Sequence, residues 1–140
     1  MTDFWRRWLT VASAATEATG LLLVLAALVG PPAVLFDFLY YPGEADVVSA
    51  DTLAFTLGVT GAVTAGWGAT MAFAFHRSDN ALALSVSRAL VPGLAIWFVL
   101  DGVVSVSTGA TLNLIGNTVL LSLFIPPLVA SRHELIGQRA

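Results

Sequence analysis

The stretch Ile96–Asn117, IWFVLDGVVSVSTGATLNLIGN, sets its conspicuous residues four apart: Trp97, Asp101, Ser105, Gly109, Asn113 and Asn117. Four is a helical interval, and on one unbroken helix these residues would form a slowly drifting ridge. Ser107-Thr108-Gly109 is a turn signal inside an otherwise apolar run, so the ridge is predicted to fold back on itself. With the turn centred on Gly109, Ser105 and Asn113 lie at one depth, and Asp101 and Asn117 lie at another. Asp101 and Asn117 are then each about 12 Å of helix from the turn. The expectation is an antiparallel hairpin in which Asp101 meets Asn117 and Ser105 meets Asn113.

The surroundings of this hairpin are those of a membrane protein. Of the 140 residues, 57% are hydrophobic and 11% charged, against about 25% charged in soluble domains. One domain over residues 1–140 is expected, with long apolar runs at about 9–29, 53–75, 82–106 and 110–130. Each is close to the roughly 20 residues that cross hydrocarbon as a helix. Barrel strands would be about 10 residues long with alternating polarity, and these runs are apolar on all sides. The predicted class is all-α, a polytopic membrane protein built as a four-transmembrane-helix bundle.

Lysine is absent, and acidic residues outnumber arginines by nine to six. With abundant Ala, Val, Thr and Asp, this composition points to a prokaryotic source. The arginines also orient the chain. Arg6 and Arg7 precede the first run, Arg77 and Arg88 flank the link between the second and third, and Arg132 and Arg139 follow the fourth. All of them fall on one side, so the positive-inside rule predicts a multi-pass protein of the cell membrane with both termini cytoplasmic. The opposite side receives the acidic loop Pro31–Asp51 and the Gly109 turn. Within that loop, Phe36, Phe38, Tyr40 and Tyr41 suggest an outer interfacial segment.

Two intramembrane polar layers follow. Glu17 lies about 12 Å into the first run and must pair or face water. Arg88, early in the third run, is at matching depth, so a buried Glu17–Arg88 ion pair is expected. Asp101 is about 140° of helical rotation from Arg88 and belongs to a separate outer layer. That layer, with Asp101, Ser105, Asn113, Asn117 and neighbouring Trp97, is the candidate ligand-binding site. In the second run, Gly58, Ala62, Gly66, Thr70 and Ala74 make one i+4 row of small residues, and Gly61, Ala65 and Ala69 make the next. Small-residue rows let helices approach closely. The Gly58/Ala62/Gly66 face is expected to serve a homo-oligomer or a larger membrane complex. Pro92-Gly93 should kink the third run, and Pro126-Pro127 should end the fourth.

The sequence holds no cysteine, no phosphate-binding glycine loop and no paired-His metal spacing. Thiol redox chemistry is thereby excluded. No enzyme, metal site, cofactor or nucleic-acid surface is expected, and the one partner read from composition is the lipid bilayer. The leading expectation is a structural or accessory membrane subunit. The alternative is a small-molecule or proton-linked transporter or binding protein using Glu17 or Asp101.

On Trp97, Phe98, Asp101, Ser105, Gly109, Asn113 and Asn117, the chain resembles a group of small four-span prokaryotic membrane proteins of unknown function. Its overall plan is similar to that of the DoxX-like membrane proteins. Thr16-Glu17-Ala18-Thr19-Gly20 is similar to the membrane-embedded Glu and following Gly of the small multidrug resistance exporters. That resemblance implies that Glu17 would take proton and cationic drug in turn. The long loop after the first run and the presence of Arg88 depart from the exporter pattern.

Overall fold

A computed structural model describes residues 1–30, 50–107 and 110–137. All regular structure among them is helical: α1 (Asp3–Val29), α2 (Ala50–Arg77), α3 (Asn80–Ser107) and α4 (Thr111–Gly137). Thr2 caps α1, its hydroxyl accepting from the Trp5 N–H at 3.5 Å. Gly30 leaves the helix at φ 96°, a conformation open to glycine and costly for other residues. Between α2 and α3 only Ser78 and Asp79 intervene, and Asp79 Oδ1 caps α3 by accepting from the Leu82 N–H at 2.8 Å. The expected interfacial segment falls within 31–49, and the Gly109 turn within 108–109; both lie outside the described residues.

α1, α3 and residues Leu112–Ala130 of α4 are long and apolar enough to cross a membrane. α2 is equally long, at 28 residues, but does not qualify as a span on composition. Of the four expected spans, three therefore stand on length and apolarity and the second does not. The physical reason lies in how α2 packs.

α1 and α2 form the most intimate pair, touching backbone to backbone. A Cβ built on Gly61 would lie 2.7 Å from the Gly20 carbonyl oxygen and 2.8 Å from the Val24 nitrogen. One built on Gly68 would strike the Glu17 backbone and sit 2.9 Å from the Ser13 carbonyl oxygen. One built on Gly58 would meet the Ala27 methyl at 3.4 Å. The seam on α2 is thus Gly58, Gly61, Ala65 and Gly68, spaced three and four apart, facing Ser13, Glu17, Gly20, Val24 and Ala27 on an antiparallel α1. That is the 3.5-residue period of a coiled-coil seam rather than an i+4 row. Gly66, expected in the packing row with Gly58, has open space where its Cβ would be. The Gly, Ala and Thr that fill α2 in place of Leu and Val also lower its hydropathy. Close approach and weak apolarity have one cause.

A cluster of buried apolar side chains lies toward the arginine-bearing end, Leu9 and Ala12 of α1, Met71 and Phe75 of α2, Ala83 and Leu94 of α3, and Phe124 of α4, while Leu53 and Leu57 are buried toward the other end of α2. Farther along, α1–α2 and α3–α4 continue as two hairpins. Hydroxyls along the helices donate to the carbonyl four residues back, Ser13 to Leu9 at 2.7 Å and Thr16 to Ala12 at 3.0 Å among them. Such bonds keep a hydroxyl satisfied where no water reaches.

α4 does not end at Pro126-Pro127; it runs through both to Gly137. Pro127 has no N–H for the carbonyl of Leu123, four residues earlier. Trp8 of α1 supplies the donor instead, its Nε1–H reaching the Leu123 oxygen at 2.7 Å. The helix continues, and α1 is tied to α4. α3 likewise contains Pro92 without interruption.

Candidate functional site

The α3–α4 hairpin brings the four polar residues of the opening stretch together. On α3, Asp101 and Ser105 are one turn apart; on α4, so are Asn113 and Asn117. The entry to α4 is tightened by the Asn113 N–H donating to the Ala110 carbonyl at 3.0 Å. Gly102, beside Asp101, admits Leu114 from α4, whose Cδ1 would lie 3.3 Å from an added Cβ. The two helices are thus in close contact beside the polar groups.

Asp101 Oδ2 is the hub. It accepts from Asn117 Nδ2, from Asn113 Nδ2 at 2.9 Å and from the Ser105 hydroxyl at 3.4 Å. Asn113 Nδ2 also donates to Ser105 Oγ at 2.9 Å. Asp101 meets Asn117, and Ser105 meets Asn113, as equal depth from the turn requires. The Asn113–Asp101 bond is an addition that sequence symmetry did not supply. Ser105 is buried, at 3% exposure, and the other three are half-buried. The three bonds to the carboxylate all come from neutral donors, and all fall on Oδ2.

Trp97 belongs to a different contact. Its ring meets Trp67 of α2 at 6.1 Å between centroids and Phe98 at 6.4 Å. It joins α2 to α3 about one turn from Asp101 and takes no hydrogen bond from the cluster among the described residues.

Glu17 and Arg88 are not brought together. The ion pair among the described residues joins Arg6 to Asp3 at 3.4 Å. Glu17 is half-buried with its backbone against Gly68, and Arg88 is exposed. The inward face of α3 at this depth is Ala83, Ser87 and Leu94. Arg88 is one residue past Ser87, hence about 100° around the helix and off that face. Matched depth alone does not make a pair, because rotational phase also decides contact.

Two further ties were not legible beforehand. Trp8–Leu123 could have been half-anticipated, because Pro127 announces a freed carbonyl, although nothing local names the donor. Arg6 reaches from α1 to the α2–α3 link, its Nη1 donating to the Ser78 carbonyl at 3.3 Å.

No protein-family model, curated protein or solved structure matches the chain. The functional reading therefore rests on the geometry alone. Of the recesses in the surface, one of about 420 Å³ is lined by Arg6, Arg7, Thr10, Val11 and His76. A second, of about 320 Å³, is lined by Ala95, Ile96, Val99 and Leu100. Neither opens onto Asp101. Among the described residues, no group of three or more His, Cys, Asp or Glu could hold a metal ion.

Proposed function

We propose that the chain is a small integral membrane protein acting as a structural or accessory subunit, with four spans and both termini on the arginine-bearing, cytoplasmic side. The observation that carries this reading is the closed economy of the Asp101 cluster. Asp101, Ser105, Asn113 and Asn117 direct their hydrogen bonds at one another. Polar residues that satisfy each other between two helices act as a lock, worth about 1–2 kcal/mol per bond in a bilayer. α2 is carried through the membrane beside α1, with which it shares a backbone-tight seam from Gly58 to Gly68. Its outward face, including Ala62 and Gly66, is exposed and offers small residues to a second copy or a partner subunit.

A second reading, proton-linked transport or binding at Asp101, draws on one observation: the three bonds all use Oδ2, and Oδ1, which takes no part in them, is where a proton would be carried. Purified protein reconstituted in vesicles separates the two. The structural reading expects proton and cation flux equal to that of protein-free vesicles, for both the parent chain and Asp101→Asn. A flux above that background, abolished by Asp101→Asn, would replace it with the second reading. Flux abolished by Glu17→Gln but not by Asp101→Asn would move the site to α1.

A further inference from the structure

The arginine-bearing end of α1 carries a feature that the hairpin lock does not use. In the recess of about 420 Å³, Arg6, Arg7 and Thr10 from the first turns of α1 face His76 from the last turn of α2, and Val11 forms the deeper edge. Arg7 and His76 are exposed. Arg6 is held in place by Asp3 and by the Ser78 carbonyl, yet its Nε is buried and has no acceptor among the described residues. Two guanidinium groups and an imidazole line this space, and the carboxylate of Asp3 is paired with Arg6. The site is built for an anion with several oxygens, for which arginine's planar fork is suited.

The level of the recess says which kind of anion. Phe4, Trp5 and Trp8 cluster on the same turns of α1, Phe4 and Trp5 edge to face at 4.8 Å and Trp5 and Trp8 at 6.3 Å between centroids. Such an aromatic belt sits at the headgroup level of a bilayer. Val11 lies one turn farther into α1 than Arg7 and is 69% exposed, so the recess passes from cationic mouth to apolar wall along the direction of a lipid tail. We infer that this recess binds the phosphate of an anionic phospholipid, with the glycerol backbone at Thr10 and the start of an acyl chain along Val11. The inference rests on the membrane reading of α1 and is independent of whether the chain is an accessory subunit or a transporter.

The test uses the full chain in neutral detergent, with bound lipid read by native mass spectrometry and by the thermal shift on adding short-chain phosphatidylglycerol, phosphatidylcholine or inorganic phosphate. Phosphatidylglycerol should bind with one high-affinity equivalent, phosphatidylcholine should not, and inorganic phosphate should compete only weakly. Arg7→Gln, at an exposed position, should weaken phosphatidylglycerol binding about fivefold, as expected for one arginine at an anionic surface, and Arg7→Lys should recover much of it. Arg77→Gln is the control, because Arg77 shares this end of the molecule but packs over Phe73 at 5.5 Å rather than lining the recess. Equal binding of the two lipids would overturn the inference, as would Arg77→Gln matching Arg7→Gln, which means diffuse surface charge. Inorganic phosphate competing as well as the lipid would reduce the site to a free-anion site and overturn its assignment to a lipid.

Discussion

Gly61 and Gly66 lie on the same helix, five residues apart, and the structure assigns them opposite sensitivities to one added methyl. At Gly61 a Cβ would sit 2.7 Å from the Gly20 oxygen, 2.8 Å from the Val24 nitrogen and 2.9 Å from Leu23 Cβ, and at Gly66 it would meet nothing within 4 Å. Two of the three atoms at Gly61 are backbone and cannot rotate away, so Gly61→Ala must push α1 and α2 apart. A separation of about 0.5–1 Å forfeits a quarter to a half of the dispersion attraction at each affected contact. Overpacking of this kind costs about 1–3 kcal/mol, and the upper half of that range is expected here because the clash is with main chain. Gly66→Ala should be neutral or slightly stabilising, since alanine is the better helix former by up to about 1 kcal/mol. Gly58→Ala, facing the Ala27 methyl at 3.4 Å, should fall between them. Reversible unfolding in mixed micelles, titrated with denaturing detergent and followed by circular dichroism, gives the three values on one scale. Equal effects of Gly61→Ala and Gly66→Ala would refute the 3.5-residue seam and restore the i+4 row as the packing face.

Asp101→Asn should keep the hairpin nearly intact in the same titration, because an amide can still accept from Asn113 and Asn117, whereas Asp101→Leu should cost about 1–3 kcal/mol by leaving half-buried donors unmatched. Trp8→Phe should cost about 1 kcal/mol through the lost donor to the Leu123 carbonyl. Adding Pro127→Ala, which restores an in-helix N–H to that carbonyl, should recover most of this loss, and simple additivity in the double-mutant cycle would show that the Trp8 bond does not compensate for the proline. For topology, cysteine at Ala45 should react with an impermeant thiol reagent in intact cells and cysteine at Asp79 should not, the reverse pattern overturning the orientation.

What was legible in advance follows from which geometric quantity each expectation needed. The Asp101 lock took its depth from one shared turn and its facing surface from the four-residue spacing, so Asp101–Asn117 and Ser105–Asn113 could be paired from spacing alone. The Glu17–Arg88 pair required depth and rotational phase together. Helices from different hairpins have no shared turn to set their phase, and one residue of error, Ser87 in place of Arg88, turns a side chain from buried to exposed. The α2 seam failed for a subtler reason. Gly, Ala and Thr are so frequent in α2 that rows at i+4 and at three-four spacing are both available, and only the partner's own small residues, above all Gly20, decide between them. The same abundance depresses the hydropathy of α2, which makes the helix with the tightest packing the one that composition alone least identifies as a span. The exposed Val59, Val63 and Phe73 form an apolar stripe along α2, while Gly58, Gly61 and Gly68 face α1.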